Sequence, residues 1–440
     1  VPDEKPIQHP TFAEAFRFWL KLGFISFGGP TGQIAIMHTE LVEKRRWISE
    51  TRFLHALNFC MLLPGPEATQ LATYVGWLLH KTPGGVVAGV LFVLPSAFLL
   101  WALSYVYVSF GHVPIVESIF YGLKPAVVAI VAAAVLRIGS RALKNETLWG
   151  IAVLAFICIR FLQLPFPLII ISAGAAGLIG SKIRPEKFQL ANGPGKSGAR
   201  PNAAISDVET LAHTKPKLGR AVRVLGVCLV LWWTPVFLIG AWLGWNHTLF
   251  REGVFFSKAA MVTFGGAYAV LPYVSQHALA NQWLSTGQMV DGLGLAETTP
   301  GPLIMVLQFV GFIGGWQNPG NLSPLVAGTV GAMLTTWTTF VPCFLWIFLG
   351  APHIEQLRDN RRVSAALTAV TAAVVGVVMN LAVWFGTQVL FPPLIGGWKV
   401  DWFAVSISAI AFVGMWRFKW DIIPVVLGSA VFGIVFRFFF

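Results

Sequence analysis

Apolar runs long enough to cross a lipid bilayer recur along this chain, at 86–110, 224–242 and 325–349 among others, and they constrain its fold more than any other feature. A spanning helix needs roughly 20 mostly apolar residues. Of the 440 residues only 11% are charged and 56% are hydrophobic, whereas a soluble domain carries about 25% charged residues. So few polar side chains could not cover so much apolar surface in water. The expectation is an all-α polytopic membrane protein.

One long polar stretch, 181–220, interrupts the apolar pattern. It is rich in Gly, Pro, Ser and Asn and carries Lys182, Arg184, Lys187, Lys196, Arg200, Lys215, Lys217 and Arg220. It reads as a flexible cytoplasmic linker. The segments on either side of it are related. Ser26-Phe27-Gly28-Gly29-Pro30 is answered by Thr263-Phe264-Gly265-Gly266-Ala267, Trp47-Ile48-Ser49 by Trp283-Leu284-Ser285, and Leu63-Pro64-Gly65-Pro66 by Thr299-Pro300-Gly301-Pro302. The offsets are 237, 236 and 236, a constancy that chance rarely produces.

This divides the chain into a first repeat (1–180), the linker (181–220), an extra membrane helix (221–244) and a second repeat (245–440). Six apolar segments fall in each repeat: 12–38, 51–80, 84–110, 113–136, 147–163 and 165–181, then 252–276, 287–316, 323–350, 363–391, 400–417 and 421–438. Six segments plus the extra one reverse the second repeat relative to the first, and inverted repeats place a transport site at their interface near the midplane.

Charge tests the topology. The net charge of +12 fits the positive-inside bias of a membrane protein; no basic face on a soluble domain is present to bind nucleic acid. With the N-terminus inside, the linker, Arg137/Arg141/Lys144, Arg358/Arg361/Arg362 and Arg417/Lys419 all fall inside. The loop with Lys44, Arg45, Arg46 and Arg52 joins them only if the first two segments of each repeat are re-entrant hairpins, broken at FGG and PGP into arms of about 12–15 residues. Its counterpart, 277–288, then lies outside and has no Lys or Arg, leaving only single charges such as Arg251 and Lys399 there. The 18 Trp suit the membrane–water interface. Cys60, Cys158, Cys228 and Cys343 sit singly in apolar segments, so neither a metal site nor a cofactor is expected. No cleavable signal peptide is evident in the polar start.

The chemistry concentrates at the breaks. Broken helices at membrane depth are tolerated only where they pack in protein or line a watery cavity. Gly28, Gly29 and Gly65, with Gly265, Gly266 and Gly301 in the second repeat, should end one helix and open another, with Pro66 and Pro302 at the first helical position. Free backbone N–H groups and a positive helix end would then face the break, which favours an anion. Lone Gly and Pro residues in membrane helices are usually kinks or packing points, but two repeated motifs favour a site. Lys21 and Lys258 each lie seven residues before their Gly, about two turns, and would neutralise the anion; snorkelling to the interface is the competing reading. Ser26 and Thr263 are matched hydroxyl donors. The carboxylates are unmatched: Glu67 follows Pro66, whereas Glu297 precedes Pro300. Both are proton-coupling candidates, although Glu67 would also suit a plain helix N-terminus.

The FGGP break, the Leu62-Leu63-Pro64-Gly65-Pro66-Glu67-Ala68 segment and the degenerate second copy resemble the chromate transporter family in its long, two-domain form. The resemblance covers essentially all the chain outside the linker, with departures at Ala267 for Pro30 and Leu303 for Glu67. It implies a secondary transporter in the bacterial inner membrane that exports chromate and gives chromate resistance. Sulfate or another tetrahedral oxyanion is the alternative substrate. The lipid bilayer is the other implied partner, and assembly as a homodimer is left open. A primary pump lacks its phosphate-binding motif here. A chromate-reducing enzyme lacks a redox centre, and a scaffold has no use for costly backbone breaks.

Overall fold

The computed structural model describes residues 9–27, 29–61, 63–188, 204–205, 217–264, 266–353, 361–394, 397–398 and 400–439. Gly28, Gly265, Leu62, Arg358, Lys399 and most of the 181–220 linker lie outside the described residues.

Helices dominate because each apolar segment must satisfy its own backbone. In the first repeat they are α1 (Phe12–Ile25), α2 (Gly29–His38), α3 (Glu50–Cys60), α4 (Glu67–Phe110), α5 (Pro114–Ala142), α6 (Glu146–Arg160) and α7 (Phe166–Ile183). The extra helix is α8 (Leu218–Leu243). The second repeat has α9 (Thr248–Met261), α10 (Ala267–Ala280), α11 (Thr286–Thr298), α12 (Val306–Gln317), α13 (Pro324–Gly350), α14 (Arg361–Leu390), α15 (Trp402–Arg417) and α16 (Ile422–Phe439). Among the described residues the only β ladder pairs Pro393–Leu394 with Gly397–Trp398. Among the described residues, seven helices (α4, α5, α7, α8, α13, α14 and α16) are long and apolar enough to cross a membrane.

The Trp-x-Ser match has a structural cause. Arg46 and Gln282 adopt left-handed backbone (φ 51° and 55°) and turn the chain sharply. Trp47 and Trp283 then tuck against Phe18 and Phe255, with ring centroids 5.2 and 5.6 Å apart. Ser49 and Ser285 cap α3 and α11 by accepting from the Arg52 and Gln288 amides. Trp19, Trp77 and Trp283 are fully buried, so these three pack protein rather than marking the interface. Trp149, Trp242, Trp402 and Trp416 are exposed.

The first two segments of each repeat are hairpins, as the basic loops led us to expect. In the first repeat α1 runs to the FGG break and α2 returns, bringing Arg45 over the Phe18 ring at 5.0 Å. From there α3 runs to the PGP break and α4 begins back. At His80–Lys81 the helical dihedrals fail, so α4 is two arms across a kink. There His80 Nε2 lies 3.0 Å from the Pro10 carbonyl. In the second repeat Arg251 at the start of α9 hydrogen-bonds Asn281 beyond α10, and Gln317 at the end of α12 donates to Gln288 at the start of α11 (3.1 Å). Counting α4 only as far as its kink, no α-helical arm of these hairpins exceeds 14 residues, about 21 Å, too short to cross alone.

One described stretch of the linker is tied to the first repeat. Ile205 pairs with Ile48 in a parallel bridge, Ala204 donates to the Arg46 carbonyl (2.9 Å), and Ile205 is 1% exposed. The 44–52 loop and this part of the linker therefore share one end of the molecule. Arg220 at the start of α8 stacks over Trp77 at the same end. The 26 residues of α8 extend about 39 Å to Trp245, which packs on Phe250 of α9 at the other end.

Beyond the hairpins the repeats interlock. α5 of the first repeat packs against α15 and α16 of the second, while α14 of the second packs against α6 and α7 of the first. Small residues allow the approach: a Cβ on Gly122 would lie 2.9 Å from the Gly433 Cα, and one on Gly177 would lie 2.7 Å from the Ala366 Cα.

Candidate functional site: crossed helix breaks

Each break of one repeat is tied to a break of the other. Gly65 donates its N–H to the Thr263 carbonyl (2.7 Å), and Gly301 donates its N–H to the Ser26 carbonyl (2.7 Å). The two bonds are related by the same 236–237 offset as the sequence motifs. Gly65 (φ 122°) and Gly301 (φ 106°) occupy backbone conformations that a side chain would strain, and Gly29 and Gly266 (φ 68° and 89°) open α2 and α10.

These bonds correct one expectation. The Gly65 and Gly301 N–H groups are not free for an anion, because facing carbonyls of the other repeat take them. Pro66 and Pro302 precede the first helical residue rather than occupying it. The amides of the first turn of α4, which no helical carbonyl can reach, remain as the inherent donors.

The side chains around the crossing are mostly ones that the motifs did not reveal. Gln33 donates to the Gly301 carbonyl and at 3.4 Å to that of Ser26, and Gln70 donates to the Pro64 carbonyl (2.8 Å). Both are 0% exposed. Ser96 stands against Gly301, where an added Cβ would lie 2.9 Å from its Oγ. The Ser26, Thr69 and Ser96 hydroxyls and the Gln33 and Gln70 amide oxygens are buried without a hydrogen-bond partner among the described residues. Buried polar atoms normally find one, so this concentration marks a polar cluster at the crossing. The two arms of α4 run together where Thr73 packs on Gly89, with Thr69 about one turn and Ser96 about two turns further along their arms. A Gln four residues past each first-repeat break, Gln33 after Gly29 and Gln70 after Pro66, was the available sequence signal.

The remaining expected residues divide. Ser26 is 0% exposed and faces the crossing. Thr263 is equally buried, but its hydroxyl donates to the Ala259 carbonyl (2.7 Å) and is not an open donor. Lys21 and Lys258 are exposed on the outer faces of α1 and α9. Their seven-residue spacing places them beside the glycines only if the helix continues, and α1 stops at Ile25 and α9 at Met261. Glu67 is half-buried at the first position of α4. Glu297 is 5% exposed and accepts a hydrogen bond from Tyr268. Gly28 and Gly265 lie outside the described residues. Among the described residues no group of three His, Cys, Asp or Glu could hold a metal.

Two stretches of the chain, 13–178 and 250–434, match the family described as chromate transporter. The chain belongs to the chromate transporter family. The family match falls once on each repeat and skips the linker and α8. A chromate transport protein of Pseudomonas aeruginosa is 30% identical over 437 residues, covering 97% of this chain and 92% of its own length. That of Cupriavidus metallidurans is 28% identical over 375 residues, covering 85% and 82%. An uncharacterized transporter of Bacillus subtilis, YwrB, is 30% identical over only 168 residues, 38% of this chain but 85% of its own length, so it is about one repeat long. No solved structure matches. This member of the chromate transporter family is thus a multi-pass membrane protein built from two repeats.

Proposed function

We propose that the chain is a secondary transporter that exports chromate across the bacterial inner membrane and so gives chromate resistance, with the crossed breaks as its substrate site. The observation that carries this reading is the reciprocal pair of bonds, Gly65 to Thr263 and Gly301 to Ser26. They hold four interrupted segments together around unpartnered hydroxyls, in a chain whose relatives include named chromate transport proteins. A tetrahedral oxyanion suits hydroxyl and amide donors at helix starts. Lys21 and Lys258 add a positive field from the outer faces, and Glu67 and Glu297 serve as proton-coupling groups.

The second repeat is inverted relative to the first in this proposal. Support comes from the ends to which the hairpins return, one at each end of α8. The N-terminus, the linker and the 44–52 loop are then cytoplasmic. A cysteine introduced at Arg46 should react with an impermeant reagent from one side, and one at Gln282 from the other. Labelling of Arg46→Cys and Gln282→Cys from the same side would defeat the inversion.

Energy favours export. At about 2.3 kcal/mol per charge per 100 mV, a dianion leaving a negative interior gains roughly 4.6 kcal/mol, which supports a gradient on the order of a thousandfold. The membrane potential is therefore the larger driver, and proton coupling is secondary. The test is chromate flux in proteoliposomes with potassium and valinomycin setting the potential at equal pH. Flux should follow the potential, and competing sulfate in the same assay measures selectivity. Absence of chromate flux under any gradient would reject the function.

A further inference from the structure

A second polar cluster lies away from the breaks, and neither the motifs nor the family resemblance drew attention to it. Lys124 sits within α5, ten residues past its start at Pro114. Its ammonium is 3.6 Å from Asp291 Oδ1 on α11, and the Lys side chain is 33% exposed whereas that of Asp291 is 6% exposed. Tyr107 near the end of α4 donates to Asp291 Oδ2 (2.9 Å). Asp291 Oδ1 accepts no hydrogen bond within 3.5 Å among the described residues. The cluster joins the two repeats: Tyr107 and Lys124 come from the first, Asp291 from the second.

A charged pair at membrane depth is costly and is a functional hypothesis by default. This pair is also loose. At 3.6 Å the ammonium is beyond hydrogen-bond distance from the oxygen it faces, and a third of the lysine is open. The ammonium also lies 3.9 Å from the position a Cβ on Gly287 would take, in the first turn of α11. A helix start is positive, which disfavours a cation there. One buried carboxylate therefore answers two positive centres, which leaves the open side of Lys124 attractive to an anion. Asp291 precedes Thr299 by eight residues, about 12 Å along α11. The pair thus stands between the crossed breaks and the end of the molecule that carries the 281–285 loop.

We propose that Lys124 is an oxyanion-binding residue on the route from the crossed breaks to that end, and that the travelling dianion and Asp291 compete for its ammonium. This rests on the oxyanion-transport reading. Binding of the dianion loosens the link between the repeats at Asp291, and departure of the dianion restores it. Asp291 keeps its Tyr107 bond throughout, so the carboxylate is never stripped of every partner. The exchange keeps Lys124 paired at all times, which lowers the cost of a charge at this depth.

The alternative is a purely structural ion pair, and the two give opposite results. Chromate binding to the purified full-length chain is measured by calorimetry, beside its Tm. Lys124→Gln should weaken binding about 10–100-fold, the loss of one charge-assisted contact. Asp291→Asn should not weaken it, because it removes only the competitor. The exchanged variant, Lys124→Asp with Asp291→Lys, should recover Tm without recovering chromate affinity. Equal losses of affinity in Lys124→Gln and Asp291→Asn, or recovery of affinity in the exchanged variant, would overturn the proposal. If the exchanged variant does not fold, the contrast between the two single variants decides. A wild-type chain that binds neither chromate nor sulfate defeats the transport reading and this inference with it. Normal wild-type binding that survives Lys124→Gln defeats this inference alone.

Discussion

The two repeats share a backbone and differ in what they place on it. Both carry a left-handed turn before a buried Trp, a Ser cap, and two glycine breaks with positive φ. At matched positions, though, Gln33 faces Val270, Glu67 faces Leu303, Thr69 faces Met305 and Gln70 faces Val306. Neutral polar lining thus belongs to the first repeat. The buried carboxylates belong to the second: Glu252, Asp291 and Glu297 are at most 5% exposed and stand where the first repeat has Ala15, His55 and Met61. The crossing is common to both repeats, whereas neutral polar groups and buried carboxylates are divided between them.

The largest expected effect tests what the repeats share, and where it stops. Gly301→Ala forces a side chain into positive φ, about 1–2 kcal/mol. Its Cβ would also lie 2.6 Å from that of Ser96, an overpacking of about 1–3 kcal/mol. Transport should be lost and Tm lowered. Gly65→Ala has similar backbone strain, but its Cβ would meet the Gln70 amide at 2.9 Å and the Cys343 sulfur at 3.1 Å. Both are side-chain ends that can shift, so its loss of Tm should be smaller. Equal damage from the two would erase this asymmetry.

Next comes the polar lining. Gln33→Val with Gln70→Val makes the first repeat resemble the second and leaves the Gly301 and Pro64 carbonyls without these donors. At about 1–3 kcal/mol for an unsatisfied buried group, chromate flux in proteoliposomes should fall tenfold or more. Unchanged flux would show that the lining is not the cradle. A smaller change is expected from Glu67→Gln plus Glu297→Gln: slower export that still follows the valinomycin potential, by a factor of about ten or less, below the roughly hundredfold or more that an essential general acid or base contributes. Flux that ignores the potential and follows an imposed pH gradient would instead put these carboxylates at the centre. The smallest effect should come from Lys21→Ala and Lys258→Ala. Exposed on outer faces, they act through screened fields and snorkelling contacts, so chromate affinity should change about threefold at most. A larger loss would return them to the binding site.

By itself the sequence determined the number and placement of the apolar segments, the two repeats and the four breaks, because these follow from local physics: segment length against bilayer thickness, and backbone freedom at Gly and Pro. The segment at 323–350 became α13 (Pro324–Gly350), and that at 421–438 became α16 (Ile422–Phe439). Local pattern also separated the hairpin arms, since FGG and PGP interrupt any continuous helix. It could not say where the freed N–H groups go. That Gly65 and Gly301 reach across to Thr263 and Ser26 depends on residues 198 and 275 positions away. Nor could it orient Lys21 and Lys258, because helical phase is lost where α1 and α9 end. Only tertiary structure decided these points, together with the pairing of Lys124 with Asp291 and the docking of Ile205 on Ile48. The physical reason is the same in each case: a buried polar group takes whatever partner packing brings within about 3 Å, and packing between distant segments leaves no periodic trace along the chain.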